Sequence, residues 1–401
     1  MKIRYLWKLT PTFLISVGLF FNIVTIEYFS SSVYTLFQYI MLIPVILYCI
    51  CNLKEIRGSQ WIVLFVVGII DFFIVLSSYV NNVETFYLRA AVYSGLLFFM
   101  IFAYSIILAH KGEIETLAIA GKWYLLFVVL LNDVLMVVLP NKFYNINGSD
   151  IGTCLIGNKF SVAYAHLMLL FLFVILEKRK RVRAQKVIVY TLFMTILCVF
   201  IDCMTVMLGS WVFAIMYFIV PSLKRLFSSL ISLVVCFFGS AFLLILFENI
   251  LSLEIVQNFI VGVLQRDATL TGRMQIYPYI FQAFPSHKWL GYGYGTSIIE
   301  TMSTWYSNAQ NAFWDFVLRY GLFAVACLLL LLLLVVKKYA IVQRKKGYES
   351  DLWLSLSMIY VYMFMGIGEI VYNKHFFFYI AILNAYSLYY ALKQYDEKGE
   401  N

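Results

Sequence analysis

ENILSLEIVQNFIVGVLQRDATLTGRMQIYPYIFQAFPSHKWLGYGYGTSIIETMSTWYSNAQN (residues 248–311) is the one long stretch of this 401-residue chain that cannot be a membrane span. Around it, apolar runs of 17 or more residues recur from end to end. Each is long enough to cross roughly 30 Å of hydrocarbon. Because the runs are continuously apolar, with none of the alternation typical of a barrel strand, the sequence predicts an all-α polytopic membrane protein.

The overall composition agrees with this class. Residues are 63% hydrophobic and 13% charged, whereas a soluble domain carries about 25% charge. We predict a single integral membrane domain over residues 1–401, with about 12 transmembrane helices in a GT-C-like arrangement. The predicted spans are 10–27, 33–52, 61–79, 88–109, 123–140, 161–176, 187–203, 205–221, 226–247, 312–336, 352–371 and 376–392.

The distribution of lysine and arginine predicts the orientation. With the N-terminus inside, 22 of the 30 lysines and arginines fall on inner segments, as expected for cytoplasmic loops. Both termini are then cytoplasmic, the first span is retained rather than cleaved, and loop 248–311 is external, with short helices of its own. The basic run 177–186 becomes an anchor against anionic lipid, and its position argues against a nucleic-acid partner.

Several function classes lack their motifs. The seven cysteines fall mostly inside apolar runs and form no CxxC pair, which is typical of small buried side chains. No His, Cys, Asp and Glu cluster has metal-ligand spacing, and there is no phosphate-binding P-loop. We therefore expect neither a metal nor a cofactor.

Two arginines of the external loop run against the charge bias. Arg266 and Arg273 lie seven residues apart, and Thr271-Gly272 resembles a cap, so that Arg273 would open a short helix that Pro278 and Pro285 break and end. Before them, residues 250–264 have the apolar spacing of a helix lying in the interface. A helix N-terminus with an arginine fork suits phosphate oxygens. Lipid headgroup binding is the alternative.

The end of the loop contains further candidates. Glycines 291, 293 and 295 alternate, which predicts an extended, tightly turned segment whose backbone approaches another surface closely. Gln310 and Asn311 follow at the mouth of the next span. Asp315 and Arg319 are four residues apart on one face of that span. They form either an intrahelical pair that lowers the cost of burial, or a pair in which Arg319 lines an outer polar cavity.

Other polar residues lie near or within spans. Arg89 begins the fourth span at its outer end, and Asp71 and Asp133 are intramembrane carboxylates without an assignable partner. For the lone histidines His110 and His166 we expect structural roles.

In their order and placement, these loop fragments resemble the O-antigen ligase/polymerase superfamily. The matching residues are Arg266, Gly272-Arg273, Pro285, Trp289 to Gly295, Gln310-Asn311 and Tyr320-Gly321-Leu322. The resemblance covers roughly 60 residues in motifs, and the span number and the late external loop extend it to the rest of the chain.

The resemblance implies a metal-independent, inverting glycosyltransferase of a bacterial cytoplasmic membrane. A repeat-unit hydroxyl would attack the anomeric carbon of a chain linked to undecaprenyl diphosphate, and the lipid diphosphate would leave. A diphosphate leaving group requires positive charge, so Arg266 and Arg273 are the first candidates, with Gln310 and Asn311 also catalytic. Substrate contacts are expected from Arg89, His287, Gly291, Gly293, Tyr294, Asp315 and Arg319. The lipid bilayer, chain-length regulators and flippases are the implied partners.

One position departs from the family pattern. Ligases of this family carry His-Asn where this chain has Gln310-Asn311, and glutamine cannot accept a proton. Asp267, His287, Glu300 and Asp315 remain alternative general bases. The missing histidine favours a repeat-unit polymerase for capsule, exopolysaccharide or O-antigen over an O-antigen ligase.

Two further functions stay open at this point. A flippase of lipid-linked oligosaccharides should line a central cavity with charge and have no long external loop. A relative of the peptidoglycan polymerases should have an essential outer carboxylate, which the sequence does not identify.

Overall fold

The computed structural model describes residues 10–26, 31–140, 154–219, 221–246, 253, 273–303, 306–346 and 350–399. Over these residues the chain is helical and contains no β-sheet. The helices are α1 (Pro11–Ile23), α2 (Ser31–Cys51), α3 (Gln60–Val80), α4 (Thr85–His110), α5 (Ile114–Val138), α6 (Lys159–Ile175), α7 (Lys180–Phe200), α8 (Met204–Phe218), α9 (Pro221–Phe227), α10 (Leu230–Leu246), α11 (Arg273–Ala283), α12 (Ile298–Met302), α13 (Ala312–Lys346), α14 (Ser350–Met365) and α15 (Lys374–Gly399).

Among the described residues, six helices are long and apolar enough to cross a membrane. They are α3, α4, α5, α7 and the greater parts of α2 and α13. The helices α1, α6, α8 and α10, with most of α14, are apolar but shorter. The protein is therefore a multi-pass helical membrane protein. The number of about 12 spans remains a prediction.

Burial divides the helices into a core and a periphery. The first half of α15 is enclosed, since every residue from Phe376 to Leu383 is at most 2% exposed. It packs against α4, α13 and α14. Peripheral helices instead expose large apolar side chains, such as Phe65, Phe127 and Ile196, each about 70% exposed. A lipid phase tolerates such a surface.

The short helix α11 corrects one prediction. It begins at Arg273 as expected, but Pro278 lies inside it, and the helix continues to Ala283 before a 3₁₀ turn over Phe284–His287. Ile276 and Ile280, on either side of the proline, are buried. Tertiary packing of this face thus holds the helical path across a residue that ordinarily ends it.

The bundle has two chemically different ends. The loop end contains residues 273–303 and 306–311 and the start of α13. The opposite end holds a buried ion pair, Arg183 Nη2 to Asp351 Oδ1 at 3.1 Å, and an exposed one, Lys178 to Glu115 at 2.8 Å. These pairs tie the first turn of α7 to α14, and the connection between α6 and α7 to α5.

Candidate active site

A cavity of about 1080 Å³ lies at the loop end of the bundle. Its walls come from α2, α4, α6, α8, α13 and α15 and from the connecting segments next to them, which include Val24 and Thr25 directly after α1. Both charged and aromatic side chains line it. Four of the residues predicted from the sequence are among them: Tyr294, Gln310, Asp315 and Arg319.

A break in α13 forms one side of this cavity. Gly321 has φ 78° and ψ 176°, so the helix is interrupted there and resumes beyond it. This backbone region is essentially restricted to glycine. A Cβ atom on Gly321 would overlap the Trp289 carbonyl and lie 2.5 Å from the backbone nitrogen of Leu290. At the break, the backbone of α13 therefore lies so close to the backbone of Trp289 and Leu290 that only glycine fits.

The segment 288–293 supplies the other backbone. The Tyr292 N–H donates to the Leu318 carbonyl at 2.7 Å, and the Gly293 N–H donates to the Arg319 carbonyl at 2.9 Å. In return, the Leu322 N–H donates to the Lys288 carbonyl at 2.8 Å. The groups released by the helix break thus find partners inside the protein, as required within a membrane.

The end of α3 fixes the same junction from a third direction. Ser77 Oγ donates to the Arg319 carbonyl at 2.7 Å, and Asn81 Nδ2 donates to the Gly291 carbonyl at 2.9 Å. Ser78 Oγ accepts from the Tyr294 N–H at 2.9 Å. The expectation that the alternating glycines bring backbone close to another surface is confirmed, and the surface is the broken turn of α13.

Arg319 and Asp315 form the predicted pair. Arg319 Nε lies 3.0 Å from Asp315 Oδ2, and the two side chains are 26% and 11% exposed. Both line the cavity, so the residues combine the two alternatives left open by the sequence: they are ion-paired and they face a polar space.

Further charged groups line the cavity. Lys159 Nζ pairs with Asp202 Oδ2 at 3.1 Å. Thr205 Oγ1 donates to Glu369 Oε1 at 3.1 Å, and Lys374 Nζ donates to the Asn22 carbonyl at 3.2 Å. Two of these groups could have been selected from the sequence. Lys159 and Lys374 lie on predicted outer segments, where lysine is uncommon.

Gln310 and Asn311 differ in their surroundings. Gln310 lines the cavity and has a positive φ of 47°. Asn311 is buried: its Oδ1 accepts from the Trp314 N–H at 3.1 Å, and its Nδ2 donates to the Ser240 carbonyl at 2.8 Å. Asn311 therefore caps α13 and connects it to α10.

The predicted substrate-binding residues separate into two groups. Tyr294 lines the cavity, and its hydroxyl accepts from Ser94 Oγ at 3.1 Å. Arg89 is exposed, next to a cavity residue, and the His287 ring is exposed and lies 4.1 Å from the Tyr292 ring. Gly291 and Gly293 do not line the cavity. Their backbone groups instead form the hydrogen bonds to Asn81 of α3 and Arg319 of α13 described above.

The two arginines favoured by the sequence are not among the described side chains. Arg266 and Asp267 lie outside the described residues, and of Arg273 only the backbone, at the start of α11, is described. Of the other candidate bases, only Asp315 lines the cavity, whereas His287 and Glu300 are exposed and are not part of its lining.

One polar cluster away from the main loop joins residues the sequence could not pair. His166 Nε2 lies 3.2 Å from Asp133 Oδ1, and His166 Nδ1 lies 3.3 Å from the Tyr190 hydroxyl. Because Asp133 and His166 are on different helices, no local pattern indicated this contact.

Comparison with known proteins leaves the family open. No protein-family model matches the chain, and no curated protein is significantly similar to it. In the described part of the chain, no group of three or more His, Cys, Asp or Glu residues is placed to hold a metal ion.

Proposed function

We propose that this protein is a polymerase of lipid-linked oligosaccharide repeat units. It acts at the outer face of a bacterial cytoplasmic membrane and builds a capsular polysaccharide, an exopolysaccharide or O-antigen. Its substrates are oligosaccharides linked to undecaprenyl diphosphate. In this proposal the chain has about 12 spans, both termini are cytoplasmic, and loop 248–311 is external.

The cavity at the loop end is the observation that carries the proposal. Its volume of about 1080 Å³ is at the upper end of what small-ligand sites enclose, which suits a sugar chain with its diphosphate. Tyrosine and phenylalanine rings in its walls offer faces for sugar rings. Arg319, at the break in α13, offers a fixed cation near the position where the sugars would react.

The proposed chemistry uses fixed positive charge. The hydroxyl oxygen of one repeat unit forms a bond to the anomeric carbon of the donor, and the bond from that carbon to the diphosphate oxygen breaks. The hydroxyl proton passes to a general base, for which Asp315 is the candidate on the cavity wall. The bonding electron pair leaves with the diphosphate, so negative charge grows there and arginine stabilises it. Arg266, Arg273 and Arg319 are the proposed diphosphate ligands. Gln310, on the cavity wall, orients the attacking hydroxyl, which glutamine can do by hydrogen bonding.

Chain elongation by the purified protein tests this function. The protein would be placed in liposomes with a synthetic repeat unit on undecaprenyl diphosphate, and the products separated by size. We expect a ladder of chains from the wild type and single units only from Arg273→Ala and Arg266→Ala. Arg225→Ala, an exposed arginine of α9 that is not part of the cavity lining, is the matched control and should give the ladder.

Gene deletion distinguishes the polymerase from a flippase. Loss of a polymerase leaves single repeat units on lipid at the outer face, whereas loss of a flippase leaves them on the inner face. Units trapped inside, or a wild-type protein that elongates nothing in liposomes, would contradict the proposal.

A further inference from the structure

An apolar groove lies on the outside of the bundle, between α7 and α8. It has a volume of about 540 Å³, which is within the range of ligand sites. Its lining includes Ile188 and Leu192 of α7, Trp211 and Ile215 of α8, and Leu223 of α9. These five side chains are between 42% and 62% exposed. Because three helices bound it, the groove is a concave site and not a plain helix face.

The polar atoms next to the groove find partners within the protein. The Trp211 indole N–H donates to Thr195 Oγ1 at 2.9 Å, and the Thr195 hydroxyl donates to the Thr191 carbonyl at 2.9 Å. Thr191 is the one polar residue in the described lining, and its hydroxyl oxygen is enclosed. The groove therefore presents hydrocarbon and one indole ring, which suits an apolar chain.

Unpaired cations continue the α7 side of the groove towards the end of the bundle opposite to the loop end. Lys180 and Arg181 are exposed and form no ion pair in the described part of the chain, whereas the neighbouring Arg183 is paired with Asp351. Arg181 lies seven residues before Ile188, so the two share a face of α7. They are about 10 Å apart along its axis. The face that leads into the groove thus carries charge complementary to an anion.

We propose that the groove binds one anionic phospholipid, with an acyl chain against Trp211 and the phosphate group at Lys180 and Arg181. The lipid belongs to the leaflet at the end opposite to the loop end. A zwitterionic phospholipid has the same chains and no net charge, so the two cations select the anionic lipid. Each basic residue at a membrane surface contributes about fivefold to this preference, or about 25-fold for two. The inference does not depend on the polymerase activity.

Quenching of Trp211 fluorescence by brominated lipid measures occupancy of the groove. The full-length protein is placed in phosphatidylcholine nanodiscs that contain a fraction of either phosphatidylglycerol or phosphatidylcholine with brominated chains. The chain has 8 tryptophans, so the Trp211 signal is the difference between the wild type and Trp211→Phe. We expect brominated phosphatidylglycerol to quench Trp211 at an about 25-fold lower mole fraction than brominated phosphatidylcholine.

Variants separate the head-group contacts from the chain contacts. Lys180→Gln and Arg181→Gln should each reduce the preference about fivefold, and the double variant should remove it. Ala214→Leu, which places a larger side chain in the groove lining, should reduce quenching of Trp211 by both brominated lipids.

Arg57→Gln is the matched control. Arg57 is an exposed arginine of the connection between α2 and α3, and it is not part of the groove lining. This variant should keep the full preference for phosphatidylglycerol. Quenching of the other tryptophans by brominated phosphatidylcholine should be the same in every variant, which verifies that each variant is folded in the disc.

Equal quenching of Trp211 by the two brominated lipids in the wild type would overturn the proposal, and so would a preference that survives in the double variant. Undecaprenyl phosphate and a second copy of the chain are the alternative occupants. Displacement of brominated phosphatidylglycerol by an equal amount of undecaprenyl phosphate would assign the groove to a prenyl chain. Loss of Trp211 quenching when two copies share one disc would assign it to a dimer. Since no elongation is measured, failure of this proposal leaves the polymerase proposal unaffected.

Discussion

Gly321→Ala should detach segment 288–293 from the break in α13. The methyl group would overlap the Trp289 carbonyl and lie 2.5 Å from the Leu290 nitrogen, and both of these groups belong to backbone. Neither can move away as a flexible side chain can. The two backbones must separate, or the junction must adopt another conformation.

The size of the effect follows from two contributions. A side chain at φ 78° and ψ 176° costs about 1–3 kcal/mol in backbone strain. Separation breaks the three hydrogen bonds of 2.7–2.9 Å between residues 288–293 and 318–322, each worth about 1 kcal/mol net. The junction should therefore weaken by about 4–6 kcal/mol, or roughly a thousandfold or more in its docking equilibrium, since about 1.4 kcal/mol is a factor of ten.

Hydrogen–deuterium exchange at the junction measures this directly. The amides of Tyr292, Gly293 and Leu322 should be protected in the wild type and should exchange much faster in Gly321→Ala. Gly239→Ala is the control, because a Cβ atom there meets nothing within 4 Å and alanine favours a helix. Equal protection of the three amides in wild type and Gly321→Ala would refute the reasoning.

Three further outcomes are expected. Asn311→Ala should destabilise the protein by about 2 kcal/mol, through loss of the α13 cap and of the bond to Ser240, in thermal unfolding. The specific activity of the folded fraction should be kept, and its loss would assign Asn311 a catalytic role. Asp315→Ala should cost about 3 kcal/mol of stability, because it leaves the Arg319 charge unpaired, and Asp315→Asn should cost less; an unchanged melting temperature in both would contradict the pairing. Hydrogen bonds from Arg179 and Lys186 lower the pKa of Glu177 to about 2. Its contribution to stability should thus be complete above its ordinary pKa of 4.5 and decline as the pH falls towards about 2. Glu177→Gln should lower the melting temperature more at pH 6 than at pH 3, and an equal effect at these two pH values would contradict the lowered pKa.

Local sequence signals were sufficient for the elements that depend on local structure. Apolar runs indicated the helices, and Thr271-Gly272 indicated where α11 begins. The spacing of Asp315 and Arg319 predicted an i, i+4 pair, and the structure contains it. The predicted spans 187–203 and 205–221 require a tight turn between them, and the chain turns there between α7 and α8. In each case the interacting groups lie within about one helical turn.

Features that depend on contacts between residues far apart in the chain could not be predicted from the sequence. Gly321 lies in an apolar run that predicts an uninterrupted span, and its positive φ follows only from the approach of residues 288–290. Pro278 stays in its helix because of the packing of Ile276 and Ile280. The lining of the cavity combines side chains from six helices and from the segments that connect them, and their convergence depends on the packing of the whole bundle.

The break in α13 links the fold to the proposed chemistry. Non-helical backbone at membrane depth is tolerated only where protein covers it or a polar space adjoins it. At Gly321 both conditions hold, because segment 288–293 and the end of α3 cover one side and the cavity occupies the other. Arg319 is at this boundary: its carbonyl accepts from Gly293 and Ser77, while its guanidinium group meets Asp315 on the cavity wall. The glycines of the loop therefore act on the cavity indirectly, by fixing the backbone that positions this cation. A substitution at Gly291 or Gly293 should accordingly displace Arg319 even though neither glycine reaches the cavity.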